Sequence, residues 1–383
     1  MDAKFTLKVK NLKNITLFNP ELTPDKSSSE DGSVVVEING DKLIYKIYSF
    51  RYLLIGSSVI ENTPSDTNIS IILPLKKLKD IIDKYQEDSD IIFKVKDDNI
   101  NIEAIGVKYK FKSIQDEEWM KNVKEIEKDD GDSDEYIIPK SKFMKGLNKI
   151  RVAMGDDQVR YYLNGSYIEI LYNENEKVSD IFFVATSGYM LGTFGNKLDG
   201  YNVVKKAIIP KKVIPELIKV IDKSDNSVKV SISKGKMLVK SDNGSLEMLL
   251  RLIEAEFPDY NKVIPQDNNN FVTLDIDLFK DMLSKISILV NGCKIREVKL
   301  SSVSDILSLE VMNDLGEIAN TDFSIAGHDK DLSTKLNIDY ISSIVSQFDG
   351  KDMIIKFNDG NNPLTIKQTN NDDLLFVLMP IRM

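Results

Sequence analysis

The 383-residue chain is 42% hydrophobic and 29% charged, with a formal net charge of −9, and Cys293 is its single cysteine. That length exceeds one ordinary core and calls for two or three domains. No apolar run approaches the roughly 20 residues of a membrane span, and the opening MDAKFTLKVKNLKNITLF lacks a basic-then-apolar leader. One thiol excludes an internal disulfide and a thiolate metal cluster, so a soluble, cytoplasmic protein with no membrane partner is expected. The acidic total excludes a polyanionic partner only if charge is evenly spread, because a local basic surface acts over about a Debye length whatever the sum.

In chain order, the first candidate helix is VKNLKNITLFNPEL (9–22), a weak pattern that runs into the loop-like TPDKSSSEDG. A strong one follows at 75–86, with Leu75, Leu78, Ile81, Ile82 and Tyr85 at helical spacing, then the alternating strands IIFKVK and INIEAI around Asp97-Asp98-Asn99. The sentence recurs. A helix at 140–152 precedes VRYYLNGSYIEILY, where Asn164-Gly165 reads as a hairpin turn. A helix at 211–222 precedes VKVSI and MLVKS, one at 275–290 precedes EVKLSSVSDILSLEVM, and one at 337–348 precedes MIIKF and LTIKQ. Five copies about 65 residues apart imply a sixth at the weak N-terminus.

Paired copies give three domains, 1–128, 129–265 and 266–383, each α+β with helices against antiparallel sheet. KEIEKDDGDSDE (124–135) and QDNNN (266–270) read as solvated connectors, and Trp119 as packing at a domain boundary.

The helices carry more basic than acidic residues although the chain is acidic: Lys76 and Lys77, then Lys145, Lys149 and Arg151, then Lys211 and Lys212. On any one helix this is an ordinary solvated face. If the helices share one axis, they form a lining that attracts phosphates without reading bases.

No catalytic constellation is visible. His328 stands alone, Ser231-Ile232-Ser233-Lys234 lacks a companion K-T-G, and there is no phosphate loop or GxGxxG fingerprint. Neither an enzyme, a cofactor nor a metal is expected.

LLRLIEAEFPDYNKVIP (249–265), FVATSGYMLG (183–192), VRYYLNG (159–165) and the terminal VLMPIRM together resemble the bacterial DNA polymerase III beta subunit, the DNA sliding clamp, over about 74–383. The resemblance implies the DNA clamp fold: three similar domains, a head-to-tail homodimeric ring, helices lining the hole and sheets outside. It implies a processivity factor that encircles double-stranded DNA. Its partners would be the DNA polymerase catalytic subunit, the clamp loader and other proteins bearing the clamp-binding motif. That motif would enter a pocket between the second and third domains. Carried onto this chain, the pocket is Leu163, Thr186, Gly188, Leu191, Pro258 and Val263, with Lys262 at the rim, closed by Val377, Leu378, Met379, Pro380, Ile381 and Arg382. Arg160, Tyr161 and Tyr162 match family positions that touch DNA.

Two departures stand out. Ser187-Gly188-Tyr189-Met190-Leu191 replaces the family's Asp-Gly-His-Arg-Leu, so the pocket rim loses charge, and the usual opening helix of the first domain is lacking. A clamp-like module, a phage or mobile-element paralogue that binds peptides without encircling DNA, is the alternative reading.

Overall fold

The computed structural model describes residues 2–18, 32–60, 67–113, 117–127, 134–174, 178–198 and 204–381. The repeated unit holds more elements than the sequence pattern shows, at the same spacing of about 65 residues. Each copy is a strand, a helix and a three-stranded meander, and there are six. In the second copy, Asn68–Pro74 leads into the helix Leu75–Ile82 and then Asp90–Lys96, Asn99–Ala104 and Val107–Lys112. The N-terminal copy is present as well: Asp2–Lys8 leads into a single helical turn, Val9–Leu12, continued as 3₁₀ through Lys13–Leu17. Two lysines stop this short helix from the side. Lys219 Nζ donates to the carbonyl of Leu17 at 2.8 Å and Lys79 Nζ to that of Phe18 at 2.6 Å, satisfying C-terminal carbonyls that a longer helix would have bonded itself.

Consecutive copies interlock by exchanging their leading strands. Asp2–Lys8 pairs with Asp90–Lys96 of the second copy, and Asn68–Pro74 pairs with Ser33–Asn39 of the first. The same reciprocal exchange joins the third copy to the fourth and the fifth to the sixth.

The chain divides into two compact units, residues 1–144 with 212–252 and residues 145–211 with 253–383. The first holds an eight-stranded antiparallel sheet, continuous because Leu246–Arg251 pairs with Tyr52–Val59, and a four-stranded one. The second holds a nine-stranded sheet, continuous because Met190–Leu198 pairs with Leu374–Leu378, and another four-stranded one. Helix stripes such as Leu75, Leu78, Ile81 and Ile82, or Ile338, Ile341, Ile344 and Val345, bury against these sheets.

Three expectations are corrected. The acidic 124–135 run begins as helix rather than connector: Glu117–Glu127 buries Val123 and, within the run, Ile126 against Val35 and Leu53, while 128–133 lie outside the described residues. Asn164-Gly165 is not a hairpin turn, because Tyr161–Leu163 is a 3₁₀ turn that delivers the chain into the strand Gly165–Asn173. Gly165 is required there by proximity, since a Cβ would stand 2.3 Å from the carbonyl oxygen of Ile209. Asn268 in the second connector is buried, its amide donating to the carbonyls of Lys356 and Pro363.

Asp242 supplies a pH test. It accepts from the backbone N–H groups of Asp225, Asn226 and Ser227, and these bonds hold its carboxyl down at about 2. The depressed value means the stabilisation is complete above the ordinary carboxylate range and is lost as pH falls through about 2. An Asp242→Ala variant is therefore expected to show a flatter acid limb than the parent between pH of about 4 and 2 in thermal unfolding.

Candidate functional site: an apolar cavity and its rim

Four separated segments of the second unit meet around a cavity of about 200 Å³, lined by Arg160, Tyr162 and Leu163, by Thr186 and Gly188 to Leu191, by Pro258 and Val263, and by Val377 and Met379. Each has a local reason to be there. The 3₁₀ turn brings Tyr162 and buried Leu163 to the wall before the strand starts. Thr186 ends its strand, and its hydroxyl donates to the Met190 carbonyl at 2.8 Å while accepting from the Gly188 N–H at 3.1 Å, pinning the bend 186–190. Gly188 takes φ +87° there, a left-handed conformation in which a side chain is strained. A Cβ at this position would also stand 2.9 Å from Arg160 Nη1.

The last strand, Leu374–Leu378, lies between Met190–Leu198 and Leu364–Gln368, paired on both sides. The strand is thereby held on both sides. The Met379 N–H donates to the Tyr189 carbonyl at 2.9 Å, and the Ile381 N–H to the Lys335 carbonyl at 2.8 Å, tying the tail past the strand. Tyr189 lies face to face with Tyr340, ring centroids 6.1 Å apart.

One cation lines the cavity. Arg160 is held by Asp157, whose Oδ2 accepts from Nε at 2.9 Å and pairs with Nη2 at 2.8 Å. The backbone N–H of Arg160 first, then its guanidinium and the Val159 N–H, keep the Asp157 carboxyl below its usual range.

Beneath the wall lies a buried carboxylate. Glu169 accepts from Tyr167 and Tyr260 hydroxyls at 3.1 Å each and pairs with Lys206 at 3.1 Å. Burial first, then the Glu169 charge, pushes both tyrosine hydroxyls up. Tyr167 also stacks on Phe257 at 4.6 Å. The irregular stretch carrying Pro258 and Val263 is thereby anchored to the sheet.

The structure brings Leu163, Thr186, Gly188, Leu191, Pro258, Val263, Val377 and Met379 together on this cavity. Leu378 is not among its walls: strand alternation turns it to the opposite face from Val377, where it is fully buried. Lys262 is 81% exposed and pairs with Asp259 instead. Pro380 and Ile381 are half-buried beyond the lining, and Arg382 lies outside the described residues. Sequence reasoning put Tyr189 and Met190 at the rim without counting them as walls, and gave Arg160 and Tyr162, which line the cavity, to DNA. The altered SGYML run was the available signal for the first two.

The lysine set also divides. Lys76, Lys77, Lys145, Arg151 and Lys212 are exposed. Lys149 is spent on the Gln347 carbonyl at 2.5 Å and Asp349 at 2.6 Å, and Lys211 on the carbonyls of Met154 and Gly155, so both hold backbone. Tyr161 is half-exposed while Tyr162 turns into the cavity, their rings meeting edge to face at 6.2 Å. Among the described residues, no three His, Cys, Asp or Glu side chains gather as a metal site, and no helix is long and apolar enough to cross a membrane.

The profile of the DNA polymerase III beta subunit central domain matches residues 137–259, and that of its C-terminal domain matches 261–382. The chain is 29% identical to the beta sliding clamp of Buchnera aphidicola over 65% of each protein, and 23% identical to that of Pseudomonas aeruginosa over 92% of each. The crystal structure of the DNA polymerase III beta subunit from Pseudomonas aeruginosa superposes at a TM-score of 0.88 with 22% identity, covering all of both chains. That of the Bartonella birtlesii sliding clamp bound to griselimycin does so at 0.88 with 23% identity, again covering all of both chains. With both profiles falling in order on the residues that build the cavity, the chain belongs to the DNA polymerase III beta subunit family, the bacterial sliding clamps.

Proposed function

We propose that this protein is a non-catalytic processivity factor: a head-to-tail homodimer that encircles duplex DNA without reading its sequence and holds its partners through the cavity around Leu191 and Met379. The observation that carries the reading is the cavity itself, an apolar recess with one cation at its edge, built from segments of four different regions of a family member. Such a recess suits the aliphatic or aromatic anchors of a short peptide, and Met190 and Met379 can adapt to several of them. The occupants are the motif-bearing tails of a polymerase catalytic subunit, a clamp loader and other factors acting on the same DNA.

The domain division 1–128, 129–265 and 266–383 fits the reciprocal strand exchange, which couples the six copies in three pairs. Dimerisation is supported by two sheet edges. No strand pairs with the outer side of Val107–Lys112 in the first unit, or of Ile318–Ser324 in the second, among the described residues. Unpaired edges are templates for another chain. Ile288, on the 3₁₀ turn beside the second of these sheets, is 70% exposed. Joining unlike edges of two copies closes a ring.

Sedimentation equilibrium is expected to give twice the chain mass of 43.4 kDa, and the Ile288→Asp variant the single mass, with apolar-peptide affinity unchanged. A wild-type chain sedimenting at the single mass at micromolar concentration would overturn the ring.

A further inference from the structure

The outward face of the first unit's four-stranded sheet is basic in a chain whose net charge is −9. Its other face is core: Phe5 stacks on Phe93 at 5.0 Å, and Leu7, Ile91, Ile100 and Ile102 are buried with them. Alternation then sends Lys4, Lys94, Lys96, Lys108, Lys110 and Lys112 to the opposite side, with Asn99 and Asn101 between them. Register aligns them in rows: Lys4, Lys94, Asn101 and Lys110 stand side by side across four strands, and Lys96, Asn99 and Lys112 across three. Glu103 shares the face, at 2.8 Å from Lys94 and 3.7 Å from Lys108, and Asp2 stands in register with Lys96. At the far end Lys8 and Asp90 pair at 2.7 Å.

Lysines on an edge strand have a bland use, since they discourage pairing between chains. That accounts for Lys4, on the edge strand Asp2–Lys8, but not for Lys108, Lys110 and Lys112, whose strand is the edge proposed to join a second copy. Nor does it account for Lys94 and Lys96 on the inner strand Asp90–Lys96, where Lys94 stands directly opposite Lys4 although like charges facing each other on a sheet cost stability. Glu103 offsets part of that cost at Lys94, and a polyanionic partner would offset more.

We propose that this face is a second nucleic-acid surface, which holds the phosphodiester backbone of single-stranded DNA. Alternate residues on a strand are about 6.8 Å apart and four strands span about 14 Å, so the lysines form a two-dimensional grid. A flexible strand can lay successive phosphates along it, whereas a rigid duplex meets a flat face along a line and reaches fewer charges. The face carries no aromatic side chain, so bases would not stack and binding would be indifferent to sequence. This surface does not depend on encirclement.

The test is fluorescence anisotropy with a labelled 30-nucleotide oligo-dT and the full chain at low salt. The combined variant Lys4→Gln, Lys110→Gln, Lys112→Gln is expected to bind at least tenfold more weakly, with a log–log salt slope shallower by about 2, as three lost phosphate contacts require. Its melting temperature should be unchanged or higher, because repulsion is relieved. The pair Lys76→Gln, Lys77→Gln should bind oligo-dT as the parent does. Equal binding by parent and triple variant, or preferential displacement by polyglutamate at equal charge, would each overturn the proposal, the last in favour of an acidic protein partner.

Discussion

Ending the chain at Leu378 is expected to abolish polymerase stimulation and to weaken binding of an apolar clamp-binding peptide by about 100-fold, close to 3 kcal/mol. The deletion removes the Met379 wall and the N–H that holds the Tyr189 carbonyl, so two sides of the cavity are lost together. It leaves Leu374–Leu378 paired to both neighbours, so the nine-stranded sheet keeps its full register. Met379→Asp, which keeps the backbone bond and places a charge on the apolar wall, should lose about 2 kcal/mol, or roughly 30-fold. Calorimetric titration checks both, with thermal unfolding as the control. If the deletion lowered the melting temperature sharply and Met379→Asp bound normally, the tail would be core and the cavity would lie unused.

The second large effect is on stability. Glu169→Ala should destabilise the second unit by about 2–4 kcal/mol, because two buried tyrosine hydroxyls lose their acceptor at once. Glu169→Gln, which can accept from one hydroxyl and donate to the other, should cost about 1 kcal/mol. Tyr260→Phe should fall between them. Urea unfolding with a constant m-value measures each. Equal losses for Ala and Gln would mean that Lys206, rather than the tyrosines, is the partner that counts.

Much of this architecture was legible in the residues, and what escaped has physical causes. Helices such as Leu75–Ile82 and meander strands such as Asp90–Lys96 announce themselves because one face is apolar at a period of 3.6 or 2. The leading strand Asn68–Pro74 runs into the helix Leu75–Ile82 with no residue between them, so no loop marks off its seven alternating residues. The helix Glu117–Glu127 hides because its buried positions, Val123 and Ile126, are diluted by Lys and Glu in a run that reads as linker. The N-terminal copy hides because its helix is one turn long, with its end satisfied by Lys219 and Lys79 from elsewhere in the chain.

Within the cavity, residue types were legible and directions were not. Val377 and Leu378 are equally apolar neighbours, and only the pairing register decides which faces the recess. Lys149 and Lys211 look like their neighbours Lys145 and Lys212 in sequence, yet carbonyls brought close by the fold claim their ammonium groups. A charge count along a helix cannot see such competition. The register of a sheet can reveal charge that a count conceals, as the lysine rows beside Lys94 do.

The most direct measurement is retention on DNA after loading. Protein loaded on nicked circular plasmid should stay bound through gel filtration at about 0.2 M salt, where non-topological phosphate contacts weaken steeply, and should be released when the circle is cut once. Retention that survives linearisation, or equal loss from circle and line, would contradict encirclement.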